Sequence, residues 1–304
     1  MNQCLFHGTI ADAQAWGRYH KAKAFFPLIK YIYETNHLKF GEIIPVPGVS
    51  GVYKVGNTVV KLYYPPETEL VYAKFYQTEI NAMEFCKSAG VLTPEIICTG
   101  VVRDSVYRFP YIVMANLDGI EASELLPGYD KSKKIAFSIK LKEITDKIHI
   151  KTGIDIPCYH DSLKIDSYLW ARMPESFRED RKRCLAENQF PELVFQHGDL
   201  WDRNIFVDKQ ERLVLIDFAE SLIAPPCYDL GPMILNGPID TVRLEAYLGE
   251  YRNEAFYEQF TLAWLLNWFG AIFIEWRVKE LGMDMAGITS VSALKDVVVK
   301  LLGW

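Results

Sequence analysis

The sequence predicts an α+β chain in two parts: a small β-rich N-terminal part and a larger, mainly helical C-terminal part, divided near residue 117. Three observations carry this. A hairpin pattern at residues 52–63 is followed by a helical segment and two more strand-like runs. Helical periodicity dominates after Asp118-Gly119. One compact β island interrupts it between residues 193 and 216.

The elements follow in order. Residues 10–38 are rich in aromatics and lysines and read as one or two helices broken near Pro27, an N-terminal helical extension spanning 1–40. Pro45, Pro47 and Gly48 end it. Val52-Tyr53-Lys54-Val55 and the run 58–63 are strands joined by Gly56-Asn57, a two-residue turn that tolerates positive φ. Pro65 and Pro66 stop the second strand. A helix is expected over 69–89 with Gly90 as its C-cap, then strands over 96–103 and 106–114 turning at Asp104-Ser105. These elements form a lobe over 41–117. In the remaining part, 118–304, Ile135, Ile139, Ile144 and Ile148 mark the apolar face of a helix over 132–150, whereas 155–192 mixes charges without a readable pattern. The runs 193–195, 205–207 and 213–216 make the β island, and everything beyond about Asp229 reads as helix.

Composition narrows the function classes. Apolar residues make up 50% and charged residues 24% of the 304, as in soluble globular proteins. A net charge of −6 gives no basic face for nucleic acid. The apolar run 260–274 is short of the ~18–20 residues that span a bilayer, and Asn267 and Gly270 interrupt it, so it reads as one buried core helix and no membrane partner is expected. The six cysteines are scattered, with no C-x-x-C pair, and read as reduced thiols in a cytoplasmic protein.

The chemistry gathers in H-G-D-L-W-D-R-N, residues 197–204, where Asn204 stands five positions after Asp199. That is the aspartate-to-asparagine spacing of a kinase catalytic loop. A carboxylate can accept the hydrogen bond of an attacking hydroxyl, and a neutral amide oxygen nearby can ligate Mg²⁺ without adding charge. The strand Leu213-Val214-Leu215-Ile216 then delivers Asp217, a second carboxylate able to hold the metal. His197 reads as a packed, hydrogen-bonded residue that holds the loop. Upstream, Gly48-Val49-Ser50-Gly51 lies at the mouth of the hairpin, where backbone N–H groups can approach phosphate oxygens. Lys61 sits within a strand, and its candidate partner is Glu79 on the next helix, with Glu84 and Glu69 not separable by periodicity. Val113 to Gly119 ends a strand irregularly, so its backbone can meet an adenine edge while Met114 packs behind it.

This order of Gly-rich hairpin, strand lysine, helix glutamate, hinge, H-G-D-x-x-x-x-N and I-D-F resembles the aminoglycoside phosphotransferase family, and choline and fructosamine kinases are similar in the same motifs. The resemblance spans roughly 43–235 and is strongest over 194–229, including Tyr228-Asp229-Leu230. It implies the bilobal protein-kinase-like fold. It implies Asp199 as catalytic base, Asn204 and Asp217 as Mg²⁺ ligands, and Lys61 on the α- and β-phosphates positioned by Glu79. Ser50 and Gly51 would cover the phosphates, and Met114, Ala115 and Leu117 would hold the base of ATP, with GTP not separated from it. Gly198 replaces the arginine of the protein-kinase H-R-D, Ala219 stands where D-F-G has its glycine, and no A-P-E segment follows. A protein acceptor is therefore not expected.

The partner expected is a small molecule bearing a hydroxyl, first an aminoglycoside-type antibiotic. The nine acidic against six basic residues of 239–304 suit a polycationic aminosugar. A metabolic kinase for an amino alcohol, sugar or glycation adduct shares every phosphotransfer motif. A nucleotide-binding scaffold without activity would be expected to lack one of Lys61, Asp199, Asn204 and Asp217, and all four are present.

Overall fold

The structure, a computed structural model, describes residues 4–21, 23–47, 51–68, 74–160, 167–188 and 190–303. It divides into two compact units, Met1–Gln77 with Thr93–Asp118, and Thr78–Leu92 with Gly119–Trp304.

The first unit is built on a five-stranded antiparallel sheet in the order β1-β2-β3-β5-β4. Its strands are β1 (Ile43–Pro45), β2 (Val52–Val55), β3 (Thr58–Leu62), β4 (Ile96–Arg103) and β5 (Arg108–Ala115). The β2–β3 hairpin turns at Gly56-Asn57 with Gly56 at φ +59°, as the turn type demands, and pairs Val55 with Thr58. Helices α1 (Ala13–Lys21) and α2 (Phe26–Thr35) precede the sheet. The break expected near Pro27 falls just before it, between α1 and α2, and Pro27 lies in the first turn of α2, where its missing N–H costs nothing. Phe6, Trp16, Phe25, Leu28 and Ile29 pack on Tyr53, Val60 and Phe109 of the sheet. Phe25 lies 5.2 Å from Phe6 and 4.6 Å from Trp16 by ring centroids. Each such buried ring or aliphatic chain contributes roughly 1.5–3 kcal/mol of transfer energy, so the N-terminal residues are a substantial part of this core.

The second unit begins within α3 (Phe75–Ser88). Of the helix expected over 69–89, α3 is the described part, and residues 69–73 lie outside those described. Gly90, at φ +73°, closes α3 with Val91 N–H on Cys86 O. Two small sheets follow rather than one island. In the first, β6 (Gly119–Glu121), β8 (Ile205–Asp208) and β9 (Leu213–Leu215) pair in that order. In the second, β7 (Val194–Gln196) pairs with β10 (Leu222–Ala224).

The helices of this unit are α4 (Ala122–Leu125), α5 (Lys131–Ile148), α6 (Ser167–Trp170), α7 (Glu175–Glu187), α8 (Leu230–Leu235), α9 (Thr241–Leu248), α10 (Glu254–Leu266), α11 (Gly270–Glu280) and α12 (Val291–Leu302). The buried face of α5 is Phe137, Ser138, Leu141, Thr145 and Ile148, and Ile139 is 45% exposed. Isoleucine spacing alone misplaced that face: Thr145 is inside because its hydroxyl bonds the Tyr247 hydroxyl at 2.7 Å. The apolar run 260–274 is two helices, not one. Asn267 leaves the α10 path with extended backbone, and Gly270 has no room for a Cβ, which would meet Trp264 O at 2.2 Å. Phe260, Trp264, Ile274, Leu294 and Val298 fill the core between α10, α11 and α12. Among the described residues, no helix is long and apolar enough to cross a membrane.

Candidate active site

Strand β7 is buried along its length and delivers His197, Gly198 and Asp199 at its end. Gly198 takes φ +88°, and a Cβ there would stand 2.0 Å from Glu220 O. No side chain fits this corner, which gives the physical reason for glycine where protein kinases carry arginine. The corner is held by Asp229, whose two oxygens each accept a backbone N–H at 2.8 Å, one from His197 and one from Gly198. His149, at the end of α5, adds a third contact from Nε2 at 3.0 Å. The Gln196 side chain accepts the Asp229 N–H at 3.0 Å. Burial raises the Asp229 pKa, but the contacts led by the His149 bond, with the Gly198 N–H among them, outweigh it and hold the carboxyl below its ordinary value.

His197 is fully buried, with Nε2 3.0 Å from Ile216 O and its ring 4.6 Å from Phe218. Ile216 O can only accept, so Nε2 carries the hydrogen, and burial holds the pKa below the usual histidine range. It is a neutral strut that holds the loop.

Asp199 and Asn204 are brought together. Asn204 Nδ2 donates to both Asp199 O and Asp199 Oδ2 at 2.8 Å, which turns its own amide oxygen the other way. Trp201 Nε1 also donates to Oδ2, at 3.2 Å, while among the described residues Oδ1 receives only Asn236 Nδ2, at 3.3 Å. Burial first, and the Asp217 charge second, push the Asp199 pKa up to about 6. The Asp217 carboxylate is thus close enough to be felt. Ile216 N–H donates to Asn204 O at 3.0 Å, tying the backbones that carry Asn204 and Asp217. Asp217 itself is at φ +61°, a left-handed conformation that non-glycine residues hold at a cost of ~1 kcal/mol or more, and asparagine or aspartate tolerate best. The loop is braced from below by Asp202, which takes both Arg243 nitrogens, at 2.8 and 2.6 Å.

An amide oxygen and a carboxylate are the hard donors Mg²⁺ takes, with water and phosphate completing its shell. Among the described residues no cluster of three His, Cys, Asp or Glu side chains offers an alternative metal cage.

The residues expected to hold the nucleotide lie mostly in the first unit. Lys61 is buried in β3, its Nζ 5.4 Å from the Tyr63 ring centroid. Gly51 is described; Ser50 lies outside the described residues. Met114 is buried in β5, and the Ala115 N–H is donated to Glu95 O at 2.9 Å. Leu117 O accepts from the Asn116 side chain at 3.3 Å. Glu79 belongs to the second unit, where it is buried while Glu84 on the same helix is exposed, so burial separates two candidates that periodicity did not. Glu69 lies outside the described residues.

A model of the phosphotransferase enzyme family matches residues 43–265. The chain belongs to that family. Among solved structures, this phosphotransferase is similar to choline kinase LicA from Streptococcus pneumoniae, with 20% identity, TM-score 0.58, and 90% of this chain and 99% of that chain covered. It is also similar to aminoglycoside 2'-phosphotransferase-IIIa, in a structure solved with GDP, at 14% identity and TM-score 0.62 over 90% and 98% of the two chains. An aminoglycoside-3'-phosphotransferase of type VIII follows at 16% identity and TM-score 0.59, over 83% and 99%. At these identities the likeness is one of fold, the α+β kinase-like fold. A search of curated protein sequences finds no match. The chain is thus an enzyme of the phosphotransferase class.

Four contributors to the site were not singled out in the sequence: His149, Gln196, Asn236 and Arg243. Asp229 carried a signal, through Tyr228-Asp229-Leu230, but that signal gave it no role.

Proposed function

We propose that this phosphotransferase moves the γ-phosphate of ATP, in a Mg²⁺-dependent reaction, to a hydroxyl of a small polar molecule. The observation that carries this is the fixed Asp199–Asn204 contact at 2.8 Å beside the Asp217 charge. With a pKa of about 6, Asp199 is ionised at neutral pH yet basic enough to take a proton as the oxygen attacks. Its Oδ2 is engaged by Asn204 and Trp201, so Oδ1, which Asn236 touches, is the oxygen that meets the acceptor hydroxyl. Asn204 and Asp217 would hold Mg²⁺, which when bound neutralises phosphate charge. Lys61 would steady the α- and β-phosphates. Gly51 would stand at the phosphate end, and Met114, Ala115 and Leu117 would stand at the base.

For the acceptor, an amine-bearing alcohol is favoured, spanning aminoglycoside-type antibiotics and choline-like amino alcohols. The acid-rich C-terminal region supports a polycation less than its count suggested. Asp240 pairs with Lys134 at 2.8 Å, Glu275 with Arg172 at 3.0 Å, Glu280 with Arg277 at 2.5 Å, and Glu258 with Lys295. Those carboxylates already have cations, which leans the reading toward an acceptor with few amines. A coupled nucleotide-turnover assay over aminoglycosides, choline, ethanolamine and sugars tests it. Turnover with an amine-bearing alcohol is expected. Turnover confined to uncharged sugars would overturn the acceptor class, and Mg²⁺-independent turnover or an unchanged Mg²⁺ titration in Asp217→Ala would overturn the metal assignment.

A further inference from the structure

Helix α1 aims two side chains, one turn apart, at the same residue of the hairpin mouth. Trp16 and His20 are at i and i+4 and so share a face. Both are buried, His20 at 7% and Trp16 at 0% exposure. The Gly51 N–H donates to His20 Nδ1 at 3.2 Å, and His20 Nε2 lies 3.3 Å from Val46 O. One imidazole therefore bridges both sides of the β1–β2 connection. The Val46 N–H, donating to Val52 O at 2.9 Å, closes the same connection from within.

The chemistry of these partners fixes the imidazole. A backbone N–H can only donate and a backbone carbonyl can only accept, so Nδ1 is bare and Nε2 carries the hydrogen. His20 is neutral and in one tautomer. Burial, first, and the Lys21 charge push the same way, holding its pKa below the ordinary histidine value against the Val46 bond.

Gly51 has no freedom left. Its φ is +90°, and a Cβ would fall 2.5 Å from Leu62 O and 3.1 Å from the Trp16 ring. Its carbonyl accepts the Leu62 N–H at 2.8 Å, beside Lys61, which itself pairs with Val52 across the hairpin. The N-terminal helix thus bears, through one glycine, on the strand that carries the lysine.

We propose that His20 and Trp16 are positioning residues for nucleotide binding: α1 uses them to set Gly51, and through it the hairpin arm beside Lys61, in the conformation that receives a nucleoside triphosphate. This rests on the nucleotide-dependent reading above and gives the N-terminal segment a role in it. The Gly51 N–H serves as the anchor of the arm, with His20 as its acceptor.

The test is equilibrium binding of ATP and of GTP, each with Mg²⁺, to the full chain at a temperature where every variant is folded. His20→Ala and Trp16→Ala are expected to weaken binding about ten-fold, the scale of one buried hydrogen bond or one lost packing contact. His20→Asn keeps an acceptor near the Nδ1 position and is expected to stay within about three-fold of wild type. His20→Gln keeps only the donor toward Val46 and is expected to behave as His20→Ala. Leu28→Ala removes a fully buried side chain of α2 from the same core and is expected to lower thermal stability while leaving nucleotide affinity unchanged. Wild-type affinity in His20→Ala, or an equal affinity loss in Leu28→Ala, would overturn the positioning role with nucleotide binding intact. A wild-type chain that binds neither nucleotide would remove the functional reading as well, so the two failures are distinct.

Discussion

Two glycine corners, one in each unit, share a geometry and differ in what anchors them. Gly198 and Gly51 sit at φ +88° and +90°, and each has a carbonyl where a Cβ would go, at 2.0 and 2.5 Å. Each gives its N–H to a buried side chain. At Gly198 the acceptor is the Asp229 carboxylate at 2.8 Å; at Gly51 it is the neutral His20 imidazole at 3.2 Å. Charge-assisted bonds are shorter and roughly twice as strong as neutral ones. The strong anchor stands where, on the proposed reading, a base must be held to a fraction of an ångström. The weaker one stands where, on the reading above, a nucleotide arrives and leaves each cycle.

The largest break in this comparison is expected at the charged anchor. An amide in Asp229→Asn offers one acceptor oxygen where three donors converge, so at least one of the His197 and Gly198 N–H groups would face an NH₂. The cost is about 3–5 kcal/mol, the scale for disrupting a buried charged site. Turnover should fall by 10²-fold or more with a large drop in the urea midpoint. A midpoint near that of wild type would show that the carboxylate is not what holds the corner.

Next in size is Asp199→Ala. Turnover should fall ~10²-fold or more, since proton acceptance and positioning contribute about that much. Nucleotide affinity, measured separately, should be nearly unchanged. Turnover within a few-fold of wild type would remove Asp199 from its role.

The sequence revealed one side of this comparison better than the other. H-G-D-x-x-x-x-N is legible because Asp199 and Asn204 meet within one loop, and the hairpin is legible because Gly56-Asn57 sits between two β-rich runs. Contacts that close over long separations are not legible. His149 reaches Asp229 across 80 residues, Asn236 reaches Asp199 across 37, and His20 reaches Gly51 across 31. Strands β6 and β10 hold three residues each, too few for period-2 alternation to register, and exist only through partners far along the chain. The 260–274 run was misread because hydrophobicity marks burial but not direction, and a break at Asn267 leaves the run apolar. Residues 10–38 showed helix and aromatics, which is the core, but nothing in their pattern told which of them faced Gly51.

A smaller effect is expected at His149→Ala. Asp229 keeps its two backbone donors, so the corner should survive with a loss of about 1–3 kcal/mol, the contribution of one hydrogen bond to a charged group. Turnover should fall less than in Asp229→Asn. Equal losses would mean that the histidine, rather than the two N–H groups, sets the carboxylate.

The smallest effect separates the units by its sign with pH. Asp199 titrates near 6 in the fold and near its ordinary 3.8 when unfolded, so between about pH 4 and 6 the folded state binds the extra proton. Its ionised form is therefore a cost, full above pH 6 and gone below pH 4. In the metal-free protein Asp199→Asn should be more stable than wild type at pH 7.5 by about 1–2 kcal/mol, discounted for residual solvent screening. The gain should shrink as pH falls through 6. His20 runs the other way. Its folded pKa lies below 6.5, so the unfolded state takes the proton first, and the stability that the neutral imidazole contributes is lost as pH falls through 6.5 toward the folded value. The difference in unfolding free energy between wild type and His20→Ala should narrow over the same acid range in which wild type closes on Asp199→Asn. Chemical denaturation of the three proteins at pH 5.5, 6.5 and 7.5 reads both trends. If His20→Ala kept its full deficit at pH 5.5, the Gly51 corner would not depend on a neutral imidazole, and the contrast between a charged and a neutral anchor would have to be abandoned.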